Sequence, residues 1–113
     1  MYYVYTVRCT DGSFYTGMAR QLCRRMREHV EKRPNCAKYT RSHPVEALVG
    51  LWRTADRVSA CRLEYAIKGL NKKQKLALVG NPRSIALLAP EEPVEAVIGV
   101  TLEMCLSGEF KEE

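Results

Sequence analysis

Two tyrosines stand ten residues apart near the start of the chain, and an arginine, a histidine and a glutamate follow them: Tyr5, Tyr15, Arg25, His29 and Glu64. A free phenol is a poor base at neutral pH because its pKa lies near 10, but a neighbouring arginine or metal charge favours the phenolate. A single carboxylate among many cations can hold one Mg²⁺ or Mn²⁺ through water and a substrate phosphate. The set therefore predicts metal-assisted attack of water on a phosphodiester.

A hairpin is needed to place the two tyrosines. Residues 2–9 are rich in β-branched and aromatic side chains, which predicts a strand, and residues 13–18 form the returning strand after a tight turn at residues 11–12. Side chains alternate along a strand, so Tyr3 and Tyr5 should share one face of the sheet. Taken alone, these tyrosines could equally fill or flank an ordinary sheet.

Residues 19–32 are predicted to form the helix that carries Arg25 and His29. The two basic residues lie one turn apart on a shoulder of the apolar stripe, so they should emerge at the rim of the core and face the hairpin. The alternatives are an exposed helix cation for Arg25 and a partly buried structural histidine for His29. The apolar stripe itself has four-residue spacing and consists of Leu22, Met26 and Val30.

Glu64 lies on a second predicted helix, residues 59–70, with Ser59 as its N-cap. It occupies the shoulder of that helix's apolar stripe, as Arg25 and His29 do on the first helix. Two interpretations are evenly balanced: a metal-binding carboxylate, or an i,i+4 surface pair with Lys68.

The remaining segments have weaker patterns. Residues 36–44 are expected to form a basic loop, residues 45–53 a third strand with a bulge at Gly50, and residues 94–106 either a helix or an added strand. A capping-box pattern of Asn71 with Gln74 predicts a short third helix that ends at Val79. Residues 34–35 are expected to end the first helix, and residues 90–93 to form a linker or turn.

The charge is unevenly distributed along this single-domain chain of 113 residues. Residues 1–83 hold 17 of the 18 Lys and Arg residues against 6 of the 13 acidic ones, a net charge of +11; residues 84–113 hold one lysine against seven glutamates, a net charge of −6. A body this basic attracts polyanions, and arginine forks onto phosphate oxygens, so nucleic acid is the expected partner. The candidate backbone contacts are Arg24, Arg27, Lys38, Tyr39, Arg41 and Lys68.

Two other classes of protein are disfavoured. The five cysteines form no C-x-x-C pair and match no zinc-finger spacing, so reduced and mostly buried thiols are expected. No apolar run approaches the roughly 20 residues of a membrane span, and no secretory signal is visible. We expect an intracellular protein, cytoplasmic if bacterial, with no membrane partner.

The order and spacing of these residues resemble the GIY-YIG nuclease domain, and most closely its small, stand-alone, single-domain members. The resemblance covers about residues 2–80 and departs from the family motifs at Tyr3, in place of glycine, and at Thr16, in place of isoleucine. The segments that carry it are Tyr3-Val4-Tyr5, Arg8-Cys9, Asp11-Gly12, Tyr15-Thr16-Gly17, Arg24-Arg25, Glu28-His29, Ala37-Lys38-Tyr39-Thr40-Arg41 and Arg62-Leu63-Glu64-Tyr65.

The resemblance implies a role for each matching residue. Tyr5 or Tyr15 would act as general base toward water, with Tyr5 favoured and the other tyrosine orienting the water. Arg25 would stabilise the developing charge on the phosphate, and His29 would assist proton transfer or bind phosphate. Glu64 would be the single metal-binding carboxylate, for Mg²⁺ or Mn²⁺.

The resemblance also implies a fold and an activity. The fold would be α/β: a three-stranded sheet flanked by helices over residues 1–83, followed by an acidic extension, residues 84–113. The activity would be that of a one-metal endonuclease on single-stranded or structured DNA, with RNA left open, in DNA repair, recombination or processing. The alternative is a non-catalytic or partner-dependent nucleic-acid-binding module. The extension could form a homodimer or cover the basic face and compete with DNA.

Overall fold

The computed structural model describes residues 1–32, 34, 36–90 and 93–112, and it has a four-stranded antiparallel sheet in its core. The strand order is β2-β1-β3-β4, so β2 and β4 are the edges. The expected count of three strands is wrong by one, because β4 pairs all three of its residues with the end of β3. The strands are β1 (Tyr2–Cys9), β2 (Phe14–Ala19), β3 (Val45–Thr54) and β4 (Val94–Ala96).

The predicted hairpin is present as β1 and β2. Its turn is fixed by Gly12, which has a φ of +83°, and by Asp11, whose carboxylate accepts hydrogen bonds from the backbone and the hydroxyl of Ser13. The register places Tyr5 opposite Gly17, and Tyr15 of β2 opposite Val7, two positions further along β1.

Six α-helices surround the sheet within the described residues. The first predicted helix is shorter than expected, and Val30 at its end is 38% exposed, so the predicted buried stripe does not extend that far. The segment expected to be a basic loop contains a short helix instead, α2. The helices are α1 (Leu22–Val30), α2 (Lys38–Ser42), α3 (Arg57–Lys68), α4 (Lys72–Gly80), α5 (Ile85–Leu88) and α6 (Leu102–Ser107), with a 3₁₀ turn at Pro82–Ser84.

Side chains fix the starts of α3 and α4. The N-cap of α3 is Asp56, whose carboxylate accepts a hydrogen bond from the backbone of Ser59 at 2.8 Å. The prediction that Ser59 is the cap is therefore wrong, and the helix begins almost one turn earlier. The capping box of α4 is confirmed: Asn71 and Gln74 each accept a hydrogen bond from the other's backbone.

The sheet divides the core into two layers. On one face the inward side chains of β1 pack against α1 and α6; on the other face β1 and β3 pack against α3, α4 and α5. Tyr3 and Tyr5 share the first face, as alternation predicts. The first layer contains Tyr3, Tyr5, Val7, Leu22, Met26, Leu102 and Cys105, and the second contains Val4, Trp52, Ala60, Leu63, Ile67, Leu78 and Ile85.

The C-terminal residues add elements to both parts of this fold. The segment 94–106, for which helix and strand were both open, contains a strand and then the start of a helix. The predicted bulge lies beside Gly50, where the register of β1 against β3 shifts and the ring of Trp52 would stand 2.5 Å from an added Cβ. The predicted breaks at 34–35 and 90–93 fall partly outside the described residues. No helix among those described is long and apolar enough to cross a membrane.

Candidate active site

Tyr5 stands at the centre of the site, fully buried on β1. Gly17 faces it across the hairpin, and a Cβ built there would lie 2.5 Å from the Tyr5 hydroxyl and 3.2 Å from the ring of Tyr15. No side chain fits in that space, so glycine is the residue that lets the two tyrosines converge.

A chain of hydrogen bonds runs inward from the Tyr5 hydroxyl. The hydroxyl lies 2.6 Å from Nε2 of His29, and Nδ1 of the same ring lies 2.6 Å from Oγ1 of Thr40. The Thr40 hydroxyl in turn donates to the backbone carbonyl of Ala37 at 3.1 Å. His29 and Thr40 are both buried, so β1, α1 and α2 meet here through side chains shielded from solvent.

Burial sets the protonation states of this chain. Desolvation raises the pKa of the Tyr5 phenol well above its usual value, although a hydrogen bond and the charge of Arg25 act in the opposite direction. Desolvation, aided by the Arg25 charge, lowers the pKa of His29 to about 4. At neutral pH the histidine is therefore neutral and the phenol keeps its proton.

Arg25 is oriented by a neighbouring carboxylate. Its guanidinium lies 3.0 Å from Glu28, whose side chain is only 7% exposed and also lies 3.5 Å from Arg24. Burial alone would lower the pKa of Arg25, but its hydrogen bonds to Tyr5 and Glu28 outweigh burial and raise it. The arginine thus stays charged beside the phenol oxygen.

Tyr15 is reached from both layers because β2 is an edge strand. On one side its ring meets the ring of His29 edge-on, with centroids 5.6 Å apart, and stacks on Tyr39 at 5.9 Å. On the other side the ammonium of Lys68 lies 5.4 Å from the ring centroid. Desolvation raises the pKa of the Tyr15 phenol as well. The stack continues to the surface, since Tyr39 also lies flat against His43 at 3.9 Å.

Glu64 reaches the site from α3, across the same edge. Its side chain is 25% exposed, and its carboxylate lies 3.9 Å from the Lys68 ammonium, so the predicted i,i+4 pair is present. Its charge acts on both tyrosines: after burial, it is among the influences that raise the pKa of Tyr5 and of Tyr15. The carboxylate therefore acts electrostatically on both phenols and remains open to water.

The structure brings the five predicted catalytic side chains together but spreads the predicted nucleic-acid contacts. Lys68 and Tyr39 adjoin Tyr15, whereas Lys38 and Arg41 are exposed on α2, and Arg41 donates to the backbone of Pro34 at 3.0 Å. Arg27 instead lies on the side of α1 that faces α6, where its charge acts on two buried thiols, those of Cys23 and Cys105.

An open cavity of about 580 Å³ adjoins the arginine side of the site. Arg20, directly after β2, also lines this surface, and no local pattern separates it from other surface charges. The cavity carries three arginines and one buried carboxylate, so its wall is cationic. Its lining includes Met18, Arg20, Gln21, Arg24, Arg25 and Glu28.

Sequence reasoning missed three residues of the site. Thr40 and Gly17 lie within the segments that resemble the family motifs, but no local pattern indicates which side chain each one contacts. Glu28 could have been found, because it is three and four residues from the arginines that it pairs with.

Glu64 is the partly exposed carboxylate that the site offers to a metal ion. Among the described residues no group of three or more His, Cys, Asp or Glu side chains is gathered that could hold an ion by itself. Mg²⁺ binds through one or two carboxylates, several waters and substrate phosphates, so the partly exposed Glu64 fits such an ion.

Comparisons with known proteins show the family of this chain. The sequence profile of the GIY-YIG catalytic domain matches residues 1–77, and the chain belongs to the GIY-YIG nuclease family. Its relatives include small proteins named UPF0213. One from Fusobacterium nucleatum is 41% identical over 83 residues, 74% of this chain and 81% of that protein. One from Desulfotalea psychrophila is 41% identical over 78 residues, 69% of this chain and 70% of that protein.

A solved structure is also similar in sequence. The solution NMR structure of a UPF0213 protein from Bacillus halodurans is 39% identical and covers 71% of this chain and 84% of that chain, with a TM-score of 0.46.

Proposed function

We propose that this protein is a divalent-metal-dependent endonuclease that hydrolyses phosphodiester bonds in DNA. The observation that carries the proposal is the phenol oxygen of Tyr5, which lies 2.6 Å from a neutral histidine nitrogen and whose pKa is raised by burial, against which the charge of Arg25 lowers it. A buried phenol with a proton acceptor on one side and a cation on the other is arranged to pass a proton. Its place on a basic chain of a nuclease family directs that chemistry to a phosphodiester.

The direction of each proton follows from what each group can donate. The phenol has one proton to donate and a neutral imidazole has one acceptor nitrogen, so we assign the phenol proton to the 2.6 Å contact with Nε2 of His29. As a water attacks phosphorus, Tyr5 takes its proton and passes its own to His29. The new phosphorus–oxygen bond forms while the bond to the leaving oxygen breaks, and the leaving oxygen takes up a proton from solvent water at the open side of the site. General-base assistance of this kind contributes roughly 10²–10⁴-fold.

Tyr5 therefore serves as the general base, and Tyr15 orients the water. The rings of both tyrosines meet His29 edge-on with centroids 5.6 Å apart, and the 2.6 Å contact of the Tyr5 hydroxyl with Nε2 is what distinguishes Tyr5. The Arg25 charge favours the phenolate while the proton is in transit and faces the phosphate whose charge develops.

Glu64 is the residue that would hold Mg²⁺ or Mn²⁺, together with water and the substrate phosphate. The bound ion would polarise the phosphoryl oxygens and offset their charge. Lys68, 3.9 Å from the Glu64 carboxylate, keeps a second cation at the same edge of the site. This cation would attract the phosphate backbone next to the reacting bond.

The DNA would lie along the open side of the site. Arg24, Lys38 and Arg41 are exposed cations on the two helices next to the tyrosines. No helix stands out for groove reading among the residues that the structure describes, so we propose single-stranded or structured DNA as the substrate, with RNA left open. The biological setting would be DNA repair, recombination or processing.

The test is cleavage of labelled single-stranded, duplex and branched DNA by wild type and Glu64→Gln, with Mg²⁺, with Mn²⁺ and with a chelator. We expect cleavage only with metal, and a loss of about 100-fold or more in Glu64→Gln, because one carboxylate supplies the protein's hold on the ion. Glu46→Gln is the matched control: it removes an exposed carboxylate that pairs with Arg8 at 2.8 Å on β3.

Two results would contradict the proposal. Wild type could leave every DNA intact with either metal, or Glu64→Gln could cleave as well as Glu46→Gln. Salt-dependent DNA binding without any metal-dependent cleavage would instead support the binding-module alternative.

A further inference from the structure

We propose that Thr40 is a positioning residue for the reaction: it holds His29 in the tautomer and orientation that accept the Tyr5 proton. The inference rests on the proposed function for its catalytic meaning. Its structural content, the location of the proton on the His29 ring, can be measured without any cleavage.

Thr40 is fully buried although its side chain is polar. It lies on α2, the five-residue helix that contributes Tyr39 to the ring stack beside Tyr15. Its hydroxyl makes two hydrogen bonds, to Nδ1 of His29 at 2.6 Å and to the carbonyl of Ala37 at 3.1 Å. This threonine therefore links the imidazole to the backbone of α2.

The two bonds determine where the protons lie. A carbonyl can only accept, so Thr40 donates its single proton to Ala37 and its oxygen accepts from Nδ1–H of His29. A neutral ring with its proton on Nδ1 has its lone pair on Nε2, so at the other end of the ring Nε2 accepts from the Tyr5 hydroxyl, 2.6 Å away. The Thr40 contact therefore selects the tautomer that can take the Tyr5 proton.

This arrangement favours proton transfer as well as orientation. When Nε2 takes the phenol proton, the ring becomes an imidazolium and its Nδ1–H becomes a stronger donor. The Thr40 oxygen is the acceptor that stabilises that state. Without it, a buried N–H would lack a partner in both the neutral and the charged ring, and the cost would be larger for the charged ring.

The decisive experiment combines kinetics with ¹⁵N NMR of the imidazole nitrogens of the full chain. Thr40→Val removes the hydroxyl at nearly constant volume, and Thr40→Ser restores it. Thr54→Val is the matched control, because Thr54 is an equally buried threonine whose hydroxyl donates only to backbone carbonyls, of Tyr2 and Asp56, away from His29.

We expect wild-type His29 to carry its proton on Nδ1. Thr40→Val should lower kcat for DNA cleavage about tenfold or more with KM within about twofold, and should shift the Nδ1 signal. Thr40→Ser should restore both the rate and the signal, and Thr54→Val should leave both unchanged.

Each failure has a distinct meaning. Absence of cleavage by wild type would overturn the proposed nuclease function, while the nitrogen signals would still report on Thr40. A wild-type His29 with its proton on Nε2 would overturn the Thr40 proposal even if Thr40→Val did not fold. Unchanged kcat and unchanged nitrogen signals in a folded Thr40→Val would also overturn it, with the nuclease function intact.

Discussion

The candidate site has two halves that differ in exposure. The buried half consists of Tyr5, His29 and Thr40, which are at most 1% exposed and joined by hydrogen bonds of 2.6 Å. The open half contains Glu64 and Lys68, whose side chains are 25% and 47% exposed and whose charged atoms lie 3.9 Å apart. The first half is suited to moving a proton along a fixed path, and the second to exchanging water, metal and phosphate.

The architecture of the sheet explains this difference. The buried half joins β1, an inner strand, to α1 on one face and to α2. The open half comes from α3 on the opposite face and reaches the tyrosines only around the edge strand β2. An inner strand gives a dry, rigid environment, whereas an edge leaves room for a substrate. The site thus forms where the two layers of the domain meet.

The greatest loss of DNA cleavage should follow from removing the Tyr5 hydroxyl at the centre of the buried half. Tyr5→Phe removes the hydroxyl that receives the water's proton, so we expect cleavage to fall by about 10³-fold, within the range for loss of a general base. Single-turnover assays at saturating DNA and metal measure this effect. Affinity for DNA at low salt should change little, because the open half and the surface cations remain.

Tyr3→Phe is the matched control, since it makes the same change two residues away on the same face of β1. Equal losses in the two variants would indicate that packing, and not the phenol of Tyr5, limits the rate. A Tyr5→Phe variant that retains wild-type cleavage would transfer the base role to Tyr15.

A smaller effect is expected in stability, and it distinguishes the halves by pH. Burial lowers the pKa of His29 from its ordinary 6.5 to about 4, so its contribution to folding is fully present above pH 6.5 and is lost as the pH falls towards 4. Between pH 7 and pH 5 the free energy of unfolding should drop by about 2 kcal/mol from this group alone. Urea unfolding at the two pH values measures it.

The control for this prediction is His29→Gln, which cannot titrate and should have a flatter dependence on pH over the same range. An identical slope in His29→Gln and wild type would show that the buried half does not titrate as the structure implies.

The smallest effect concerns the support of the buried half by the C-terminal segment. The carboxylate of Glu112 accepts hydrogen bonds from the first backbone N–H groups of α1, those of Leu22 and of Cys23, the latter at 3.1 Å. The N-cap residue of that helix, Gln21, makes no capping bond with its own side chain. Glu112 therefore takes the place of a local cap and puts negative charge at the positive end of the helix.

Glu112→Gln should lower the free energy of unfolding by about 1 kcal/mol, the usual scale of an N-cap, while kcat stays close to wild type well below the melting temperature. Thermal unfolding compared with Glu109→Gln, the same change of charge three residues earlier, isolates the contribution of the cap. Equal melting temperatures for the two variants would mean that the capping bonds contribute nothing.

Features of the fold that depend on neighbouring residues are predictable from the sequence, and features that depend on the backbone path are not. The turn at Gly12, the capping box of Asn71 and the shared face of Tyr3 and Tyr5 depend on neighbours within a few positions, and the sequence predicts them. The cap of α3 was misplaced because Asp56 and Ser59 are both good N-cap residues, and only the backbone path selects between them.

Residue type and short-range periodicity are enough to predict the hairpin, the spacing of Arg25 and His29 along one side of a helix, and the basic character of residues 1–83. Long-range packing brings together the groups that meet in the site: Tyr5 with a histidine 24 positions away, that histidine with a threonine 11 positions on, and α1 with the Glu112 carboxylate. Burial, which fixes the protonation of these groups, exists only after the two layers have packed on the sheet, and no local pattern specifies it.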